Sequence, residues 1–142
     1  MSAPPLLRID FAARAESLAD VRAAVQRALA TQHVDARAAA RIVLAIDEAC
    51  ANIIRHAYRG CGDGHIALRI ERRRGVLRFR LRDRAPAVDP GCVKPRDLSE
   101  CRPGGLGINI IDDTMDHWRL RPLKHRCGNV LTMVRRLHAR KA

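Results

Sequence analysis

The sequence predicts an α+β fold in which a mixed β-sheet is covered by helices on one face. Three observations predict it. Apolar residues alternate with polar ones in several short segments, as at Leu7, Ile9 and Phe11. Two long segments carry apolar residues at helical spacing, and they follow one another without an intervening strand. The resulting order of strand, two helices, hairpin, long loop, helix and hairpin is typical of a two-layer sandwich.

The helical segments are predicted over residues 16–32 and from Asp35 to Tyr58. Ser17 or Asp20 is a candidate cap for the first helix, and Asp35 opens the second. The predicted buried stripe of the second helix consists of Ile42, Ile46, Ala49 and Ile53. This spacing is that of an amphipathic helix packed on a sheet.

The strands after these helices are predicted from alternation. Residues 66–71 and 77–81 form a hairpin around Arg73–Gly75, and a second hairpin ends in a strand over residues 130–137. A short helix over residues 106–115 stands between the hairpins. Prolines interrupt residues 84–105, and a loop of this length in a compact domain is usually functional or mobile. One domain is therefore expected over 1–142, with an ordered core of about 6–137.

Composition limits the classes of function. The chain has 142 residues, of which 47% are hydrophobic and 3% aromatic, and its net charge is +12. Such a charge favours nucleotides, nucleic acid or an acidic protein as partners. Arg78, Arg80 and Arg82 alternate with apolar residues, which indicates a solvated sheet face. Because few aromatics are available to stack on bases, we expect no direct binding of nucleic acid.

The five cysteines are Cys50, Cys61, Cys92, Cys101 and Cys127. Their number is odd, no CxxC motif occurs, and no tight Cys/His cluster predicts a zinc site. No signal peptide is recognised, and no apolar run is long enough to span a membrane. We therefore expect a cytoplasmic protein with free thiols and no membrane contact.

Chemistry is expected first at Glu48 and Asn52. Residues four apart lie on the same face of a helix. An amide oxygen is a neutral ligand for a hard metal ion, and a carboxylate can accept a proton. Most acid–amide pairs at this spacing are simply solvated, but the neighbours of this pair are mostly Ala, Ile and Cys.

Two further motifs follow along the chain. Asp83 ends a predicted strand, where a carboxylate can accept a hydrogen bond from an exocyclic amine or serve only as a turn residue. The run Gly104-Gly105-Leu106-Gly107 precedes a helix, and glycines at a helix N-terminus allow close approach of an anion. A Rossmann site is disfavoured because the glycines follow an irregular loop and not a strand.

In this order the motifs resemble the GHKL superfamily of ATPases and kinases, which has the Bergerat ATP-binding fold. The run from Asp47 to Tyr58 is similar to that of the anti-sigma-factor serine/threonine kinases. Residues 83–90 and 128–133 are similar too, and the likeness extends over about residues 6–137.

The resemblance implies ATP and Mg²⁺ as cofactors and a role for each site residue. Glu48 would be the general base, Asn52 the Mg²⁺ ligand, and Asp83 the acceptor for the adenine amino group. Thr132 would support Asp83. Gly105, Leu106 and Gly107 would cradle the phosphates. Arg102 would contact a phosphate from within an ATP lid at about residues 84–104.

The resemblance also implies partners: a STAS-type anti-anti-sigma protein that is phosphorylated on serine, a sigma factor that is sequestered, and a second copy of the chain. One departure is that Ala85 and Ala87 stand where the family usually has glycine. If the backbone has positive φ there, Ala adds strain and weakens ATP binding. A regulatory module that binds nucleotide and partner without phosphoryl transfer therefore remains the alternative. A histidine kinase fragment is disfavoured, since no dimerisation helices with a phosphoacceptor histidine precede the domain.

Overall fold

The computed structural model describes residues 3–58, 64–86 and 106–138, which contain five strands and three α-helices. The predicted turn at 59–63 and most of the predicted lid lie outside these ranges. In chain order the elements are β1 (Leu7–Ala12), α1 (Leu18–Ala30), α2 (Ala36–Asn52), β2 (His65–Arg73), β3 (Val76–Asp83), α3 (Leu106–Thr114), β4 (His117–Pro122) and β5 (Asn129–Arg136). A 3-10 turn, Ala15–Ser17, precedes α1, and a π-helical turn, Ile53–Ala57, continues α2. The α+β class and the predicted order of elements are confirmed.

The sheet has the strand order β1-β2-β3-β5-β4, and all four pairs of neighbours are antiparallel. The prediction of a mixed sheet was wrong in this respect. With two helices between β1 and β2 the chain direction reverses three times, an odd number, so β2 runs antiparallel to β1. The single helix between β3 and β4 makes those two strands run in the same direction, but β5 lies between them. No parallel neighbours therefore arise among the described strands.

The core lies between one face of the sheet and the three helices. α2 is central, and both α1 and α3 pack against it. The predicted stripe of α2 is buried, and it meets the fully buried side chains Leu77, Phe79 and Leu81 of β3. Each such side chain contributes roughly 1.5–3 kcal/mol when it leaves water. The described helices leave the other face of the sheet uncovered.

The start of α2 is fixed by its predicted cap. Asp35 Oδ1 accepts hydrogen bonds from the backbone N–H groups of Arg37 (2.9 Å) and Ala38 (3.2 Å). A cap of this kind is worth about 1 kcal/mol. Ser17 precedes α1 but makes no side-chain capping bond. None of the helices in the described ranges combines the length and apolar character needed to cross a bilayer.

Candidate functional site

The last turns of α2 present Glu48 and Asn52, both half-buried. Asp47 turns towards α1, where its Oδ1 accepts a hydrogen bond from Arg22 Nη1 at 2.8 Å. One residue advances a helix by about 100°, so Glu48 lies away from this ion pair. Within the described residues Glu48 makes no hydrogen bond or ion pair. Its carboxylate is therefore available to a ligand, whereas that of Asp47 is engaged.

The side-chain amide of Asn52 lacks good hydrogen-bond partners. Its Oδ1 accepts a long hydrogen bond of 3.3 Å from Arg55 Nη2. Its Nδ2 is buried and has no acceptor in the described part of the chain. A buried donor without a hydrogen-bond acceptor costs about 1–3 kcal/mol. An anionic oxygen bound next to Nδ2 would accept this hydrogen bond and remove the cost. The side chain thus suits a metal-bound anion: Oδ1 for a hard cation and Nδ2 for an oxygen beside it.

The π-helical turn that follows Asn52 brings Tyr58 to the end of β3. The backbone N–H of Tyr58 donates to the carbonyl of Ile53 at 3.0 Å, an i to i+5 bond that widens the turn. The Tyr58 hydroxyl then donates to the carbonyl of His65 (2.8 Å) and accepts from the backbone N–H of Arg84 (2.7 Å). Such π turns are frequent at functional sites. Tyr58 therefore connects the helix that carries Glu48 and Asn52 with the residue that follows Asp83.

Asp83 lies at the end of β3 on the helix-covered face, with 3% of its surface exposed. Its Oδ1 accepts hydrogen bonds from the backbone N–H of Ala85 (2.9 Å) and from Asn129 Nδ2 (3.0 Å). Burial raises the pKa of Asp83 above its ordinary value, and these hydrogen bonds oppose the rise. The carboxylate is therefore held in a fixed orientation in a poorly solvated position.

Asn129 occupies the position beside Asp83 that the family resemblance implied for Thr132. Asn129 pairs with Asp83 across the β3–β5 ladder, and its Nδ2 also donates to the carbonyl of Pro86 at 3.1 Å. Thr132 lies three residues further along β5, and an odd step along a strand turns a side chain to the opposite face. The structure thus does not bring Thr132 to Asp83. Alternation in the sequence could have shown this, because Asn129 shares its parity with the core residues Leu131 and Met133.

Gly128 allows β5 to approach Asp83. It has a φ of +143°, and a Cβ at this position would lie 2.6 Å from the carbonyl oxygen of Asp83 and 2.6 Å from Cδ1 of Leu123. No other residue fits there without displacing the backbone of Asp83. The hairpin between β4 and β5 therefore packs against the Asp83 backbone at Gly128 and contacts the Asp83 carboxylate through Asn129.

Ala85 fits its site without strain. Among the described non-glycine residues only His33 and Arg74 have positive φ, so the condition for strain at Ala85 is not met. Its methyl group is 1% exposed, and its backbone N–H donates to Asp83. The strain that a positive φ would cause is therefore absent at Ala85, where the methyl group fills buried space. Ala87 lies outside the described residues.

The remaining candidates lie at or beyond the start of α3. Gly105 and Arg102 are outside the described residues. Leu106 and Gly107 form the first turn of α3, which packs against α2. The backbone N–H groups at the start of such a helix can bind an anion. Within the described ranges no cluster of three or more His, Cys, Asp or Glu side chains could hold a metal ion.

Fold and site together define an ATP-binding domain of the kinase-like type. The helix-borne acid and amide, the buried aspartate at a strand end and the one-sided antiparallel sheet all belong to that class. Residues 11–135 match the family described as the histidine kinase-like ATPase domain. The chain belongs to this family, which confirms the predicted GHKL resemblance.

Solved structures share the fold. The structure of the RsbU and RsbW domains of Rv1364c from Mycobacterium tuberculosis superposes with a TM-score of 0.68 and 23% identity, covering 95% of this chain. The blue-light activated histidine kinase EL346 of Erythrobacter litoralis gives 0.54 and 22% over 73% of this chain. The histidine kinase domain of the same protein gives 0.54 and 17% over 96%. This chain spans 32%, 32% and 66% of those chains, respectively. No curated protein matches the sequence.

Proposed function

We propose that the chain is an ATP-dependent serine protein kinase that also acts as an anti-sigma factor. One observation carries the proposal: Tyr58 joins the end of the Glu48–Asn52 helix to the strand end at Asp83. In this proposal Glu48 as base, Asn52 as metal ligand and Asp83 as adenine-binding carboxylate line one nucleotide pocket. The similarity to a structure that contains an RsbW domain supports the same branch of the family.

Nucleotide binding follows from the two ends of this pocket. The Asp83 carboxylate accepts a hydrogen bond from the exocyclic amine of adenine, while Ala85 and Asn129 hold it in place. Asn52 Oδ1 would hold Mg²⁺ in place of its long contact with Arg55, and Nδ2 would donate to a phosphate oxygen. Bound Mg²⁺ would neutralise phosphate charge. The N–H groups of the first turn of α3 complete the phosphate site.

Phosphoryl transfer uses the free carboxylate of Glu48. It orients the serine hydroxyl of the substrate and accepts its proton as the oxygen attacks the γ-phosphorus. The bond between that phosphorus and the bridging oxygen of ADP breaks, so the products are phosphoserine, ADP and a protonated Glu48. Positioning and charge neutralisation supply most of the rate in such reactions.

The partners are proposed on the same grounds. The phosphorylated substrate is a STAS-type anti-anti-sigma protein, and the protein that is sequestered when no such antagonist is bound is a sigma factor. A homodimer is proposed as the working form. These assignments rest on the motifs from Asp47 to Tyr58 and on the shared fold.

The test is transfer of labelled γ-phosphate from ATP to a STAS protein encoded near this chain. Glu48→Gln keeps the shape and hydrogen bonding of the side chain but cannot take the proton. We expect transfer to fall by about 10²–10⁴, the usual loss on removing a general base, with ATP binding unchanged. Asp47→Asn is the matched control, because Asp47 is the adjacent carboxylate and pairs with Arg22. Its transfer rate should stay close to that of the wild type.

Two results would change the proposal. If the wild type transfers no phosphate to any candidate but binds a sigma factor, the chain is a nucleotide-binding regulatory module that holds its partner without chemistry. If Glu48→Gln transfers as fast as the wild type, another group is the base.

A further inference from the structure

The uncovered face of the sheet is dominated by arginine. Strand alternation and the observed register place on it the side chains of Arg8, Arg69, Arg73, Arg78, Arg80, Arg82, Arg119, Arg121 and Arg136, called here the arginine face. The same rules place only two carboxylates there, Asp10 and Glu71. The excess of positive charge is local, because it arises on one face of the sheet and the helices cover the other face.

Arginines on this face lie directly opposite one another. Arg8 pairs with Arg69 across the β1–β2 ladder, and Arg69 pairs with Arg80 across β2–β3. The same row continues through Thr132 to Arg119 on β4. Like charges directly opposite each other on a sheet destabilise it. The arrangement is therefore not explained by stability of the isolated sheet.

The carboxylates on this face neutralise few of its arginines. Glu71 contacts both Arg69 and Arg78, and the contact with Arg78 is 2.8 Å long. Asp10 lies 3.6 Å from His65 and not beside an arginine. Within the described residues the other seven arginines of the face make no ion pair. Their guanidinium groups remain available to carboxylates supplied from outside.

We propose that the arginine face is a docking surface for an acidic protein. Arginine forms bidentate pairs with carboxylates and is enriched at protein interfaces. Nucleic acid fits less well, because the aromatic side chains of the described strands, Phe11, Phe79 and Trp118, have the parity of the core face and none is available to stack on bases. A second copy fits less well, because two arginine faces would repel each other.

The arginine face is separate from the nucleotide pocket. Asp83 and Asn129 have the parity of the covered face, so a protein docked on the arginine face leaves the proposed pocket open. The inference goes beyond the proposed function and does not depend on phosphoryl transfer. It predicts a partner that can stay bound while nucleotide enters and leaves.

The test compares two triple variants of equal charge in the full-length chain. Arg8→Gln, Arg80→Gln and Arg119→Gln remove three charges from one row of the arginine face. Arg27→Gln, Arg37→Gln and Arg41→Gln remove three exposed charges from α1 and α2. Each set lowers the net charge of +12 by three. Binding to fluorescent poly-L-glutamate is measured by anisotropy at low salt, and ATP binding is measured in parallel.

We expect the sheet variant to bind poly-L-glutamate about tenfold or more weakly, since each exposed ion pair is worth up to about a fivefold change in affinity. The helix variant should lose less than about twofold, because its charges act only at long range through solvent. Both should bind ATP as the wild type does, which separates this test from that of the proposed function.

Three results would overturn the proposal. Equal losses in both variants would mean that net charge alone attracts polyanions. A difference between the variants seen only with a short DNA duplex would assign the face to nucleic acid. A change in sedimentation of the sheet variant alone would assign it to a second copy of the chain.

Discussion

At the scale of single residues, the site contains Asp83, whose burial disfavours the ionised carboxylate. Burial raises the pKa of Asp83, and hydrogen bonds from Ala85 and Asn129 only partly compensate. Because its folded-state pKa exceeds its unfolded value, Asp83 lowers stability once the pH passes the folded pKa, and this penalty is absent below the unfolded pKa. The charge of Asp83 therefore does not stabilise the fold at neutral pH.

The first prediction concerns the pH dependence of ATP binding. Affinity should fall with acidification at a higher pH than an ordinary aspartate would give, because the protonated acid no longer presents two acceptor oxygens to the adenine amine. Asp83→Asn keeps Oδ1 as an acceptor for Ala85 and Asn129. Calorimetry should show weaker ATP binding by this variant, without that acidic transition. Subtracting its profile from that of the wild type removes the titration of the nucleotide itself.

The same variant should be no less stable than the wild type at neutral pH, since it removes a buried charge and keeps its hydrogen bonds. Thermal unfolding checks this. Loss of folded protein in Asp83→Asn would mean that the carboxylate is structural, and the binding data could not then be assigned to adenine.

The site residues were predictable from the sequence where they lie on one helix, and less predictable where they lie on different strands. Glu48 and Asn52 follow from a spacing of four, which a helix converts directly into proximity. Asn129 was missed because its importance depends on the register between β3 and β5, which is set by a hairpin distant in sequence from Asp83. Parity alone separates it from Thr132, and only once the buried face of β5 is known.

At the scale of elements, the π-helical turn is the feature that joins the end of α2 to the end of β3 beside Asp83. A regular α-helix over the predicted span to Tyr58 would rotate the tyrosine to another position, since each residue adds about 100°. The wider turn lets one hydroxyl bond to both His65 and Arg84. Apolar periodicity predicts the helix but not this change, because the bonds that favour it come from backbone groups far along the chain.

The second prediction is that Tyr58 is a positioning residue. Tyr58→Phe removes both bonds of the hydroxyl and leaves the ring against Gly64. We expect ATP affinity to fall severalfold and the Arg84 amide to exchange hydrogen faster, while the global unfolding free energy changes by only about 1–3 kcal/mol. Trp118→Phe is the control, since it removes a 2.9 Å bond to Asp112 between β4 and α3, away from Asp83.

If Tyr58→Phe and Trp118→Phe lower ATP affinity equally, the effect reflects stability alone. An unchanged exchange rate at Arg84 would likewise show that the hydroxyl does not hold the end of β3.

At the scale of the whole molecule, the two faces of the sheet differ in charge. The covered face is largely apolar, whereas the open face is rich in arginine and carries part of the net charge of +12. The sequence indicated a solvated sheet face from the alternation in β3. The sequence did not indicate the rows of arginines across the sheet, because these rows depend on which strands are neighbours. The strand order β1-β2-β3 and its register are what align Arg8, Arg69 and Arg80.

The third prediction is that this row costs stability. Arg80→Thr should raise the free energy of unfolding by up to about 1 kcal/mol, because it relieves repulsion from Arg69 and places a residue that favours strands. The gain should shrink between about 0.01 M and 1 M salt, as the screening length falls from about 30 Å to 3 Å. Urea unfolding measures both.

Arg78→Thr is the matched control in the same strand, because Arg78 is paired with Glu71. It should not be stabilising at low salt. Equal gains from the two variants would show that strand propensity, and not repulsion along the row, is responsible.

Calorimetric titration of Mg-ATP into wild type and Asn52→Ala tests whether Asn52 and Asp83 form two ends of one Mg-ATP pocket. We expect the wild type to bind ATP only when Mg²⁺ is present. We expect Asn52→Ala to bind severalfold or more weakly, although the substitution removes the unpaired Nδ2 and so leaves folding at least as favourable. ATP binding of equal strength by the two proteins, or binding indifferent to Mg²⁺, would contradict the claim.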